Sequence, residues 1–424
     1  MRKRHWTGLV LLTAALFALS ASGVLALASS TPITLELWQD NVDEITTGIL
    51  NDAAAQFEAD TGIKVNITYT EAAPYKTKLI TAMGSSEVPD IFLTWGGGWL
   101  KQFIDEGQVA DITDLITDWK GELIEPSWND LTFGEKVYGI PFNLNGAALY
   151  YNKPLFESLN LTVPTTWDEL AEVAEVLKAN NIIPFAMGNI GKWPGAMHFL
   201  TLAMRLGGKD VYTNAEANQG DAFADKSYVR AGEILQQMVT DGWFPEGVNG
   251  INYDTGGSRM LFYTGRAAMI YQNTNFPPRA LGEAEDFYNN NLAIAAYPTI
   301  EGGLGSDGVV CGINAYSISE SCENKQAAVD FIRYYVADPT ITNRRANEAG
   351  SMITYANVQY DMVKRQDCMS LFTDAAFMQN FYDQALPAEL GALHLDTTQA
   401  LIGLSTTPEA AAAEMQSKAN ELIP

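Results

Sequence analysis

Between residues 34 and 94 the chain alternates between two hydrophobic periods. Residues 34–38 alternate as a strand that runs into Trp38-Gln39-Asp40. Ile45, Ile49, Ala53 and Phe57 then fall on one helical face, and Gly62 follows as the left-handed residue that ends the helix. Ile63, Val65, Ile67 and Tyr69 alternate as a second strand. A helix is predicted over 75–83, and Pro89-Asp90 leads into a buried strand at 91–94. Strands alternating with helices predict a largely parallel sheet covered on both faces. Such sheets bind ligands beyond the carboxyl ends of their strands, where 38–40 and 95–99 lie.

Residues 138–170 are the most informative stretch. A short apolar strand at 137–140 is expected to stop at Pro141. A second apolar run, 147–151, closes in Asn152-Lys153-Pro154. Between them Asn143, Leu144, Asn145 and Gly146 form a polar linker, and two strands so joined, without a crossover helix, suit a hinge. Thr166 and Glu169 have capping-box spacing, and Leu170, Val173, Ala174 and Leu177 recur at i, i+3, i+4 and i+7.

The elements Gly139-Ile140-Pro141, Tyr151-Asn152-Lys153 and Thr166-Trp167-Asp168-Glu169-Leu170 together resemble those of the bacterial extracellular solute-binding proteins of family 1, sugar-binding subunits of ABC importers. Phe262 to Ile270 resembles the family's helix, Gly turn and strand. Gly312 to Ile318, followed by Asn324 to Ile332, resembles its returning strand and helix. The likeness runs from about Thr34 to about Asn343 and is weaker in the helical tail. It implies an α/β, two-lobed periplasmic binding protein fold of type II, maltose-binding-protein-like, with a ligand cleft between the lobes and a three-crossing hinge. The crossings are expected at 143–146, near 293–298 and near 338–339. Lobe 1 is then 29–143 plus 293–337, and lobe 2 is 144–292 plus 338–424.

Arg2, Lys3, Arg4 and His5, the apolar run 9–19 and Ala26-Leu27-Ala28 read as a secretory signal over 1–28, cleaved after Ala28. No Cys follows to accept a lipid, and no later run reaches the ~18 apolar residues of a membrane span. A free periplasmic protein is expected. Removing Arg2, Lys3 and Arg4 with the signal takes the formal charge from −25 three units lower, to −28. Such a surface repels phosphate backbones, so nucleic acid is not an expected partner. Cys311 and Cys322 bracket a predicted strand at 315–318 and lie too far apart to bridge, and Cys368 makes the number odd.

Aromatic faces and planar polar groups are the chemistry that holds a pyranose. Trp193, in Gly191-Lys192-Trp193-Pro194-Gly195, is the leading platform, read as a loop residue at a strand end. Trp38 and Trp95 end strands, and Gly96 and Gly97 permit close backbone approach. Asp40, Asn145, Asn189 and Asn273 are candidate hydroxyl partners, and His394 is a further ligand candidate. Asn145 stands where maltose-binding protein has an acidic ligand residue. Many relatives carry a stacking Trp after the Ala-Ala-Met strand; this chain has 272–276 there, so Phe276 or Trp243 is expected to substitute.

HExxH, CxxC and GxSxG motifs are absent, so metal hydrolysis and serine-esterase chemistry lack their usual parts, and no cofactor is expected. The expected function is capture of a sugar and delivery to a membrane ABC permease by a monomer. The alternatives are a binding protein for a cationic or other non-sugar solute, and a secreted glycan-cleaving enzyme with two carboxylates.

Overall fold

A computed structural model describes residues 32–40, 43–85, 87–360, 370–372 and 375–423. The signal reading of 1–28 and Cys368 lie outside these residues. Eleven strands are described: β1 Thr34–Asp40, β2 Lys64–Thr70, β3 Ile91–Thr94, the small hairpin β4 Thr132–Phe133 and β5 Lys136–Val137, β6 Ile140–Asn152, β7 Ile183–Phe185, β8 Ala267–Asn273, β9 Leu292–Ala295, β10 Gly308–Ile318 and β11 Phe377–Gln379. Apart from the hairpin they join in the order β2-β1-β3-β10-β6-β8-β7, with β11 on β10 and β9 on β6. The two ends are parallel, β1 with β2 and β3, and β7 with β8. The middle, β3-β10-β6-β8, is antiparallel.

The local signals act where the sequence places them. Helix Glu44–Thr61 starts on Asp43, whose carboxylate accepts from the Thr46 amide, and ends on Gly62 at φ 74°. Both bonds of the Thr166–Glu169 capping box form, and helix Trp167–Ala179 buries Leu170, Val173, Ala174 and Leu177.

The buried apolar side chains divide into two lobes. One cluster draws on 35–144 and 311–372. The other draws on 147–310 and 381–419, with a satellite cluster between 148 and 292. Two strands belong to both lobes. Residues 140–146 of β6 pair with β10, and residues 147–152 pair with β8 and β9. Residues 315–318 of β10 pair with β3, while 308–310 pair with β11.

This corrects two expectations. The apolar stretches flanking 143–146 are not two strands and a loose linker but one strand thirteen residues long. Pro141 is tolerated because it stands opposite Ala315, at the bulge where the β10 register shifts. Asn143 is tied to the Arg345 guanidinium at 2.8 Å, and the Leu144 carbonyl accepts from Thr274 Oγ1 at 2.9 Å. The second and third crossings also shift. The clusters change between Val310 and Cys311 and again between Phe372 and Phe381, because β9 pairs with β6 in the second lobe while Ile341, Ala349 and Met352 pack in the first.

Candidate functional site

Where the lobes meet over the crossing strands lies a cleft of about 370 Å³, within the ~300–1,000 Å³ range of small-molecule sites. The first lobe contributes Asp40 at the end of β1, Lys76 on helix Ala72–Met83, and Trp95 beyond β3. The crossing strands contribute Asn145 and Asn314. The second lobe contributes Trp193, Tyr253, Asp254, Asn273 and Arg279, together with residues 381–384 and His394.

Two tryptophans stand on opposite lobes. Trp95 packs edge-on to Tyr75 and Trp99, with ring centroids 5.9 and 6.0 Å away. Trp193 packs edge-on to Tyr253 at 5.0 Å. Trp193 is not a loop residue: it is the first residue of helix Trp193–Glu216, where Pro194 needs no amide partner. Asn189 sets that start, its Oδ1 accepting from the Gly195 amide at 2.9 Å.

Charges are arranged in pairs and triads. Lys76 donates to the Asp383 carboxylate at 2.6 Å and carbonyl at 3.1 Å, with its ammonium 4.8 Å from the Trp95 ring centre. Lys192 pairs with Asp396. Asp40, Asp254 and Arg279 form a group drawn from both lobes. Burial pushes the Asp40 carboxyl up to about 7; Arg279 opposes this, Asp254 reinforces it, and Gln39 donates to the carboxylate at 2.7 Å. Burial also raises Asp254, against Arg279 and Arg259. Burial holds the His394 imidazole down to about 4, against the opposing pull of Asp383, so it is neutral at pH 7.

Asp40 gives a signed prediction. Its folded pKa is about 7 against 3.8 for the free group, so between those values the folded chain keeps a proton that the unfolded chain has lost. Its stabilising contribution is full below about pH 4 and disappears as pH rises through about 7. Melting the native protein and Asp40→Asn across this range is expected to show the native protein losing ground to the variant. A constant gap, or one of opposite sign, rejects the assignment.

Of the residues singled out from sequence, Asp40, Trp95, Asn145, Trp193, Asn273 and His394 line the cleft. Six others do other work. Trp38 lies beneath the Lys78 ammonium, 3.9 Å from its ring centre, and is not part of the cleft wall. Gly96 and Gly97 make room for protein rather than ligand. A Cβ on Gly96 would sit 2.5 Å from the Asp130 carbonyl oxygen, and one on Gly97 2.8 Å from that of Gln384. Asn189 is fully buried and spends its amide on Gly195 and Asn249. Trp243 is stacked between Trp167 and Phe185 in the second core. Phe276 is fully buried against Tyr150 and Phe262.

The sequence reading missed Lys76, Tyr253, Asp254, Arg279, Asn314 and residues 381–384. None carries a local motif, and only the topology brings them together. Among the described residues no three His, Cys, Asp or Glu side chains are grouped to hold a metal, and no helix is long and apolar enough to cross a membrane.

Two α/β lobes joined by shared strands, with a cleft over the junction, define a periplasmic binding protein fold. Residues 43–340 match the family model of the bacterial extracellular solute-binding proteins, and the chain belongs to that family. Among curated relatives it is similar to a multiple sugar-binding protein of Streptococcus mutans, 23% identical over 77% of this chain and 76% of the other. A binding protein of Brucella abortus is 26% identical over 74% and 75%. Among solved structures it resembles one from a study of xylan utilization by Caldanaerobius polysaccharolyticus, at TM-score 0.86 and 27% identity over 91% of this chain and all of that one. A chitin oligosaccharide binding protein aligns at TM-score 0.83 and 23% identity over 92% and 99%.

Proposed function

We propose that the protein captures a neutral mono- or oligosaccharide between its lobes and presents it to a membrane ABC permease, without making or breaking bonds. The observation that carries this reading is the placement of Trp95 and Trp193 on opposite lobes of one cleft, with amide and carboxylate side chains between them. Two flat apolar faces suit the C–H faces of a pyranose, and the planar polar groups suit its hydroxyls. Relatives named for multiple sugars and for chitin oligosaccharide, and the structure from a xylan-utilizing bacterium, point to the same ligand class.

In this reading the protein works as a monomer in the periplasm. The signal is removed after Ala28, and N-terminal sequencing of exported protein would then begin at Ser29. The hinge lies in residues 143–146 of β6 and the facing residues of β10. Only the closed state touches a ligand from both lobes, so a sugar shifts the population toward closure.

A thermal-shift screen with xylo-, chito- and malto-oligosaccharides tests the reading. A ligand at 100 times its Kd adds about 2.7 kcal/mol to stability. The active sugar is expected back intact after incubation, and small-angle scattering should show a smaller radius of gyration in its presence. A cleaved sugar points to an enzyme. Saturation without compaction removes closure from the mechanism.

A further inference from the structure

Three amide side chains at the floor of the cleft stand out. Asn145, Asn314 and Gln384 line it, each is at most 7% exposed, and the side-chain oxygen of each has no hydrogen-bond partner in the protein. Buried polar groups are nearly always paired, because an unpaired one gives up its water for nothing. Three in one place require an explanation.

They come from three segments: β6, β10 and helix Tyr382–Ala385. Asn145 stands opposite Gly312 in the ladder, and Asn314 is two residues further along β10, so it shares the face of Gly312. A Cβ on Gly312 would run into Asn380 Oδ1 first and would sit 2.9 Å from Gln384 Oε1. The backbone of Gly312 is not left-handed, so its lack of a side chain serves space, not conformation. The missing side chain leaves room for Asn380 and Gln384 against the strand pair that carries Asn145 and Asn314.

Gln272 and Gln379 also carry a buried unpaired oxygen but do not line the cleft, whereas three other asparagines near the floor are paired. Asn143 accepts from Arg345, Asn380 bonds Asp130 and the Phe381 amide, and Asn189 bonds Gly195 and Asn249. Those are structural and satisfied. The nearby ammonium of Lys76 is already committed to Asp383. What remains at the floor is uncharged and able both to donate and to accept.

We infer that Asn145, Asn314 and Gln384 form a neutral amide subsite that reads adjacent free hydroxyl groups on the buried ring of the ligand. The inference rests on the sugar-binding reading and adds its polarity. The innermost ring is uncharged and unsubstituted, since a hydroxyl pair matches an amide donor and acceptor together. A carboxylate or a methyl ether cannot serve both.

The test uses Asn314→Leu and Gln384→Met, which keep shape and remove polarity, with Asn189→Leu as control. Without ligand, the first two are expected to melt at or above the native temperature, because they remove buried polar atoms that have no partner. Asn189→Leu is expected to melt lower, because it strands Gly195 and Asn249. With xylotriose, chitotriose and maltotriose as probes, each floor variant should bind the active sugar at least tenfold more weakly than native protein in calorimetric titration. Floor variants that melt lower, as the control does, overturn the subsite. So does a sugar that binds native and floor variants alike. If none of the three sugars shifts the native protein, the sugar reading itself fails, and the ligand class proposed for the floor falls with it.

Discussion

Trp193→Ala is expected to weaken sugar binding by roughly 30- to 1,000-fold, the ~2–4 kcal/mol range of a central aromatic anchor. The ring is half-buried at the cleft wall and braced edge-on by Tyr253, so it is held in place before any ligand arrives. A rigid ring loses little entropy when a sugar stacks on it. The unliganded protein should lose only about 1 kcal/mol, because helix Trp193–Glu216 keeps Pro194 and its Asn189 brace. Calorimetric titration and melting of the same sample separate the effects. Native affinity in the variant, or wholesale unfolding, would transfer the platform to Trp95.

Trp243→Ala is expected to do the reverse. The side chain is 4% exposed, stacked 5.4 Å from Trp167 and 6.4 Å from Phe185. Removing a buried aromatic of this size costs about 3–5 kcal/mol. It does not touch the cleft, so the folded fraction should bind sugar with affinity within about twofold of native. Trp167→Ala, at the half-exposed end of the same stack, should cost less. The double variant should cost less than the sum, because the two rings are in contact. Denaturant titration measures the first effect, and calorimetry on the folded fraction measures the second. An affinity loss comparable to that of Trp193→Ala would return Trp243 to the site.

These tryptophans show how far local sequence reaches. Trp193 and Trp243 both sit beside Gly and Pro at the ends of apolar runs, and nothing local separates them. What separates them is the face each presents, which depends on strand pairing and helix docking. Where the deciding interactions are local, the sequence suffices. The capping box at Thr166, the terminating Gly62 and the buried stripe of helix Trp167–Ala179 involve residues within a turn or two of one another. Pro141 was misread because its tolerance depends on the irregular pairing of β6 with β10 at Ala315, more than 170 residues away. Asp254, Arg279 and Asn314 gave no signal at all. Each is an ordinary polar residue until the topology brings it into one cleft with Asp40 and Asn145.

The sharing of β6 and β10 between the lobes bears on any attempt to redesign this protein as a sensor. Asn145 and Asn314 sit on the two strands that would twist in the closure proposed above. A substitution there alters ligand recognition and the stiffness of the connection together, so signal amplitude and detection threshold will not be adjustable separately at the floor. Residues on the walls, such as Trp193, Asp254 and Arg279, belong wholly to one lobe. Selectivity is better retuned there, leaving the two crossing strands as a fixed mechanical element.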